Sequence, residues 1–319
     1  MMSLSTPVAF MIFNRPDLTQ VVFEAIAKAE PKTLFVVADG PRFPAEAEKC
    51  AQARAIIDRV DWDCDVFTNY SEKNLGCGRR VASGIDWVFS EVEEAIFLED
   101  DTLPDVSFFP YCEILLEHYR HDKRIMTING NNFQPGGSKT EYSYHFSKFC
   151  SCWGWASWRR AWKHYDYEMK TWPAFKRGGM MKMICPDLYE QRFWTRLFDS
   201  MYENPEEIDT WDHQWKYACW SQNGLAIAPN VNLVANIGLG RTDASHTTGH
   251  NPLLAKLSKN QGLEEIKHPP FVVRHYDADN YIFDYIIGGK QMKEHDALLG
   301  KFRRGLSTTW KKARTAFHS

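Results

Sequence analysis

Ala95-Ile96-Phe97-Leu98-Glu99-Asp100-Asp101 is a short apolar run that ends in three consecutive acids. Its length and its β-branched and aromatic content are those of a buried strand. Three adjacent carboxylates at a strand's end repel one another and lose hydration unless a positive charge sits among them. A hard divalent cation is the simplest such partner, because it takes oxygen ligands and commonly shares them with a phosphate. That chemistry points to an enzyme acting on a nucleotide diphosphate. The alternative reading is a solvated strand exit that leads into a helix cap.

Around this run the first half of the chain alternates strand and helix. Val8 to Phe13 is apolar, followed by a turn at Asn14-Arg15-Pro16-Asp17 and an amphipathic segment from Leu18 to Ala29. Thr33 to Ala38 reads as a second strand closed by Asp39-Gly40-Pro41, Ala45 to Val60 as a helix, and Cys64 to Asn69 as a third strand. After Asn74-Leu75-Gly76 a helix is expected from Arg79 to Phe89; Val106 to Tyr119 follows as a helix and Arg124 to Ile128 as a strand. Such alternation predicts an α/β fold with a mainly parallel sheet and helices on both faces. Ligands of these sheets bind beyond the carboxyl ends of the strands. Asn14-Arg15, Asp39-Gly40 and Glu99-Asp100-Asp101 therefore fall along one edge.

The second half is less regular and rich in aromatic residues. Of the 12 Trp, most lie between Trp153 and Trp220, so these rings form either a core or a surface that stacks on sugars or bases. Ser151 to Asp166 is expected to be helical after Gly154, Leu188 to Tyr202 and Trp211 to Gln222 have helical spacing, and Leu225 to Ala228 reads as a short strand. Near the end, Leu299, Phe302, Leu306, Trp310, Ala313 and Phe317 make a narrow apolar stripe. It is flanked by Lys301, Arg303, Arg304, Lys311, Lys312 and Arg314. A basic amphipathic helix over 297–317 suits either an anionic membrane surface or packing back onto the domain.

The 319 residues, 44% hydrophobic and 25% charged, suffice for one large α/β domain or two smaller ones. A net charge of -3 gives no nucleic-acid signal. Met1 to Pro7 lacks a leader's charged and apolar regions, and no stretch reaches the roughly 18 apolar residues of a membrane span. The eight cysteines are scattered, Cys64, Cys112 and Cys219 in apparent core segments, and Cys150-x-Cys152 has no partners at zinc-site spacing. Reduced thiols in a cytoplasmic protein are the expectation.

The chain resembles the GT-A glycosyltransferases, and within them the N-acetylglucosaminyltransferase I-like group and related bacterial sugar transferases. The residues that carry the resemblance are Pro7-Val8-Ala9-Phe10 leading to Arg15, Val37-Ala38-Asp39-Gly40, and Asn74-Leu75-Gly76 with Gly78-Arg79-Arg80. Phe97-Leu98-Glu99-Asp100-Asp101 followed by Pro104-Asp105-Val106-Ser107-Phe108-Phe109 is its most specific element, and Asn129-Gly130-Asn131-Asn132 completes it. The likeness is continuous over about the first 135 residues and patchier to about residue 250. It implies a Rossmann-like domain over 1–250, with a nucleotide-sugar half (1–135) and an acceptor half (136–250), followed by a C-terminal extension (251–319). It also implies that Asp101 coordinates Mn²⁺ or Mg²⁺ on the donor diphosphate, that Asp100 contacts ribose or sugar, and that Glu99 supports both. Arg15 and Asp39 match positions that hold the nucleotide, and Arg80 stands near a position where eukaryotic relatives carry His; a cation there is able to pair with the diphosphate.

An inverting transferase needs a general base for the acceptor hydroxyl. The resemblance places it in Asp209-Thr210-Trp211-Asp212-His213-Gln214-Trp215, with Asp212 first and Asp209 and His213 as fallbacks; Asp209 also suits a helix N-cap. Asn236 to Thr247 reads as a flexible loop in which His246 fits a late metal or diphosphate ligand. Trp153 and Trp155 offer rings to a sugar acceptor or to helix packing. The expected activity is transfer from a nucleotide-diphosphate sugar, UDP-linked and with UDP-N-acetylglucosamine as one candidate, to a hydroxyl of a glycan or lipid-linked acceptor. Bacterial surface polysaccharide made at the inner face of the cell membrane is the implied setting. A nucleotidyltransferase, or a non-enzymatic glycan- or membrane-binding protein, are the alternatives.

Overall fold

The computed structural model describes residues 3–134, 140–205, 207, 209–242, 261–263 and 265–297. The first strand, β1 (Val8–Ile12), has all five residues buried, and Pro16 then opens α1 (Pro16–Ala29); Pro costs nothing at a helix start, where its missing N–H would have no partner. β2 (Thr33–Ala38) follows. The segment expected as one helix to Val60 is a 3₁₀ turn at Pro44–Glu46, α2 (Ala47–Ala55) and another 3₁₀ turn at Ile56–Arg59. Then come β3 (Asp65–Tyr70), α3 (Cys77–Glu91), β4 (Glu94–Glu99), the short β5 (Thr102–Pro104), α4 (Phe108–His118), β6 (Ile125–Asn129) and β7 (Tyr144–Ser147). β8 (Trp155–Trp158) leads into the short helices α5 (Arg159–Trp162), α6 (Trp172–Arg177) and α7 (Met181–Ile184). The longer α8 (Leu188–Glu203) and α9 (Asp212–Ser221) precede β9 (Leu225–Pro229) and β10 (Val234–Asn236). Last is α10 (Tyr276–Tyr281), which continues as a π-helical segment to Ile287.

Eight strands form one sheet in the order β3-β2-β1-β4-β8-β6-β9-β7. β3, β2, β1 and β4 are mutually parallel. β8 runs antiparallel between β4 and β6, β9 is parallel to β6, and β7 closes the edge antiparallel. All strands except β8 and β7 thus point one way, which is a mainly parallel, Rossmann-like α/β sheet with helices on both faces. A separate ribbon pairs β10 with β5 antiparallel, immediately after the acidic triplet.

β8 corrects the expectation of a helix after Gly154. Trp155 stacks on Phe97 at 4.5 Å in the core under α3 and α9, whereas Ala156 and Trp158 belong to the core on the opposite face with α4. Side chains that alternate between two buried faces need the period of a strand, and a central strand accepts apolar residues on both. The same burial removes Trp155 from any sugar-stacking role, since it is 1% exposed. A third cluster, with Trp172, Trp194, Phe198 and Trp220, holds the helices of the second half together.

The stretch 261–297, assigned from the sequence to an extension, packs on this body. Leu263, Ile266 and Val272 lie against the first core, Ile282 and Phe283 enter the third, and Arg274 bridges to Phe146 on β7. The apolar stripe from Leu299 and the basic residues around it lie outside the described residues. Among the described residues no helix is long and apolar enough to cross a membrane, and all eight cysteines are free thiols. Cys64 is half-exposed rather than buried.

Because Trp155 joins the two halves of the sheet, Trp155→Ala is expected to cost about 3–5 kcal/mol in chemical denaturation. A loss below about 1 kcal/mol would show that β8 is not part of the core.

Candidate active site

The acidic corner is built by its neighbours in the chain. Glu99 ends β4, and Thr102 Oγ1 accepts from the Glu99 N–H at 2.8 Å and donates to the Glu99 carbonyl at 3.0 Å, closing the turn through Asp100 and Asp101. The Ile237 N–H, just beyond β10, donates to the Asp101 carbonyl at 2.8 Å. Beside it Gly238 leaves no room for a side chain: a Cβ there would lie 2.5 Å from Asp101 Oδ2.

Arg15, from the turn after β1, reaches into this corner. Its Nε donates to Asp100 Oδ2 at 3.2 Å, its Nη2 to Asp100 Oδ1, and its Nη1 lies 3.0 Å from Asp101 Oδ2. The resemblance gives Arg15 to the nucleotide; here its guanidinium is spent on the two aspartates. Burial pulls the Arg15 pKa down, but Asp100 and Asp101 outweigh it and the proton is held more tightly than usual. Burial raises the proton affinity of both Glu99 and Asp100, neighbouring carboxylates add to the rise, and Arg15 opposes it.

One guanidinium against three carboxylates leaves the corner short of positive charge, and its donor set is all oxygen, as Mg²⁺ or Mn²⁺ prefers. Among the described residues no three His, Cys, Asp or Glu side chains are arranged to hold an ion alone. A Mg²⁺-type ion needs only one or two carboxylates when substrate phosphates complete its shell. Asp101, with one oxygen outside the Arg15 pair, and Glu99 fit that need; Asp100 has both oxygens engaged. His246 lies outside the described residues.

Other candidates occupy places that change their roles. Asp39, after β2, accepts from the N–H groups of Gly40 (2.8 Å), Leu75 (3.0 Å) and Gly76 (3.1 Å) and from Asn74 Nδ2 (3.0 Å). Burial raises its pKa while these N–H groups oppose the rise. It folds the loop 74–76 against the strand end, so its carboxylate is already saturated. Arg80 is 6% exposed and donates to the Ala38 carbonyl at 3.1 Å and to Asn69, tying β2 to β3 beneath the edge. In that position it does not reach out for a diphosphate. Asp209 accepts from the Cys77 and Gly78 N–H groups at 3.0 and 2.6 Å. It therefore caps α3 from across the chain, where the helix end attracts negative charge.

Asp212 stands differently. At the start of α9 it accepts from the Thr210 hydroxyl, and its Oδ2 lies 3.4 Å from His213 Nδ1. Burial acts to raise its pKa, but His213, Lys216 and the Thr210 hydroxyl bring it down to about 2. Glu99 feels its charge, and Cys77 and Cys152 feel Asp212, Glu99 and Asp101 together. Asp212 and the acidic corner are thus close enough to influence one another electrostatically, with Cys77 of α3 and Cys152 within reach of both. Trp153, next to Cys152, packs on Phe133 at 5.6 Å, and both rings are half-buried. Thr102, Gly238 and Lys216 were not singled out from the sequence. Their roles depend on chain segments that meet only in the fold, although Thr102 directly after three acids was a readable turn signal.

No family model and no curated protein matches the chain. Among solved structures, similarity is found to S. aureus TarS 1-349, at 13% identity and a TM-score of 0.35, over 49% of this chain and 47% of that one. The chain therefore spans less than half the length of that TarS fragment. A 4-diphosphocytidyl-2C-methyl-D-erythritol synthase from Anaerococcus prevotii gives 6% identity and a TM-score of 0.30, over 49% of this chain and 72% of that one. A UDP-glucose pyrophosphorylase complexed with UDP-glucose gives 13% and 0.26, over 45% and 62%.

The two aspartates of 209–215 are separable by stability. Asp209→Ala is expected to lose about 1–2 kcal/mol in urea denaturation at neutral pH through the lost cap; an unchanged midpoint would contradict the capping role. Asp212, with its folded pKa below the ordinary 3.8, binds protons less readily folded than unfolded. Its contribution is therefore full above pH 3.8 and is lost as the pH falls toward about 2. Asp212→Asn should flatten the stability profile in that window, and a profile as steep as that of the parent chain would exclude the assignment.

Proposed function

We propose that the chain is a metal-dependent GT-A glycosyltransferase that moves a sugar from a nucleotide-diphosphate donor to an acceptor hydroxyl with inversion. The carrying observation is the acidic corner at the end of β4, undercompensated by Arg15, with the charge of Asp212 acting on Glu99. The sheet order, with its parallel strands ending at that corner, supports the reading. A UDP-sugar is the favoured donor, UDP-N-acetylglucosamine the first to try, and a glycan or lipid-linked hydroxyl the acceptor. Bacterial surface polysaccharide made at the membrane's inner face is the proposed setting, on the strength of the resemblance and of the basic segment 297–317.

Asp101 and Glu99 would hold Mg²⁺ or Mn²⁺ against the diphosphate. Bound there, the ion supplies Lewis-acid neutralisation of the charge that builds on the departing diphosphate. Arg15 keeps Asp100 and Asp101 in place and excludes one carboxylate from the ion. On the nucleotide side, Arg42 lies over Phe13 at 5.5 Å and is held by Glu46, which also receives Asn14 Nδ2 at 2.9 Å. Phe43, 53% exposed beside it, leaves an aromatic and cationic face open to a base. Asp212, ionised throughout the working pH range, takes the acceptor proton as the hydroxyl attacks.

The direct test is UDP-sugar hydrolysis with and without Mn²⁺. The expected result is Mn²⁺-dependent release of UDP, reduced roughly 100-fold or more in Asp101→Ala by loss of the ion's contribution. Full activity of Asp101→Ala, or consumption of a nucleoside triphosphate instead, would overturn the proposal; the latter would mark a nucleotidyltransferase.

A further inference from the structure

Around β7 lies a cleft of about 340 Å³, within the range of small-ligand sites. β7 is the last strand of the sheet, with β8, β6 and β9 between it and β4. Tyr144 and Phe146 of β7 enter the first core, so His145 between them belongs to the opposite face. There it lines the cleft with Tyr142 and with Phe271, Val273, His275 and Tyr276 of the segment beside β7. Phe271 is 75% exposed, and Val273 and Tyr276 are exposed as well.

Hydrogen bonds fix where the His145 ring carries its proton. Asn230 Nδ2 donates to the Tyr142 carbonyl and, at 2.7 Å, to Thr140 Oγ1, so Oδ1 is the amide atom 3.1 Å from His145 Nδ1. An amide oxygen only accepts; Nδ1 therefore holds the hydrogen and Nε2 the lone pair. Burial holds the His145 pKa below its ordinary value and His275 adds to the fall, which favours the neutral ring. His145 is 5% exposed, and its Nε2 is buried with no hydrogen-bond partner. Asn230 stands outside the cleft wall, so the ring reaches the cleft with the edge that bears Nε2. His275 packs on it with centroids 5.4 Å apart. Its Nδ1 accepts the Ala278 N–H at 3.2 Å, which leaves its own proton on Nε2. The wall thus offers one acceptor and one donor among apolar and aromatic faces.

We propose that the cleft beside β7 is a saccharide-binding site, in which a ring hydroxyl donates to His145 Nε2 and the apolar face of the sugar lies on Phe271 or Tyr276. A purely apolar occupant would leave the Nε2 lone pair unmet, a cost that buried polar atoms avoid. A small polar one would leave the Phe271, Val273 and Tyr276 faces uncovered. A sugar ring answers both, because it carries hydroxyls on its rim and C–H groups on its face. The site needs neither the metal corner nor Asp212, and stands whether or not the chain transfers a sugar.

The probes are maltotriose, cellotriose and chitotriose, titrated into the full chain and followed by saturation-transfer NMR and by the imidazole nitrogens of histidine-labelled protein. Before sugar is added, the His145 Nε2 signal at neutral pH should be that of an unprotonated nitrogen; a protonated Nε2 overturns the inference. At least one trisaccharide should bind saturably and shift that signal. Affinity should fall roughly tenfold or more in Phe271→Ala, a change at an exposed side chain that spares the fold. His145→Phe keeps a ring and drops the lone pair, and should weaken binding by a similar factor; if that variant does not fold, Phe271→Ala and the nitrogen signal still decide. No saturable binding by any of the three sugars, a His145 signal unmoved at saturation, or unchanged affinity in Phe271→Ala overturns the inference. Toluene bound in the cleft where no sugar binds would overturn it too, by marking an apolar pocket.

Discussion

The ion pair between Arg15 and the two aspartates after β4 sets the terms for the rest of the site. β1 and β4 are neighbours in the sheet, with Met11 paired to Glu99, so the turns that follow them emerge side by side. Without a cation between them, three carboxylates in a partly buried corner would repel one another and take up protons. Arg15 removes part of that repulsion and fixes the direction of Asp100 and Asp101. It also leaves the corner with more negative than positive charge. Under the proposed function, that imbalance is what a divalent ion arriving with a diphosphate would offset.

The second half of the chain completes this corner through backbone contacts more than through charge. β10 pairs with β5 and delivers Ile237 and Gly238 onto Asp101, so the acidic turn is clamped by a segment more than 130 residues away. Asp209 clamps the other wall by capping α3, and the next turn of chain starts α9 with Asp212. Two acids three residues apart thus serve different ends: Asp209 fixes a helix, and Asp212 has its charge held by His213, Lys216 and Thr210.

Much of the fold was legible because the strands of the first half are short apolar runs closed by turn residues, and period and punctuation agree there. The Trp155–Trp158 strand was not legible in the same way. Trp-Ala-Ser-Trp suits a helix or a doubly buried strand equally, and only the rings of Phe97 on one side and α4 on the other decide it. For the candidate site, the acidic triplet at a strand end was readable from position, and Glu99 does end β4. The roles of Asp39, Arg80 and Asp209 were not, since each is set by backbone N–H or carbonyl groups of other segments, and these carry no sequence signature. The resemblance gives Arg15 to the nucleotide; its pairing with Asp100 and Asp101 depends on β1 and β4 being direct neighbours in the sheet.

The central claim is that Asp101 and Glu99 form half of an ion site which a nucleotide diphosphate completes. Calorimetric titration of UDP in the presence and absence of Mn²⁺ measures that coupling directly. The account predicts that each ligand strengthens the other's binding by the same factor, at least tenfold, as linkage requires. UDP that binds equally well with and without the ion would contradict it.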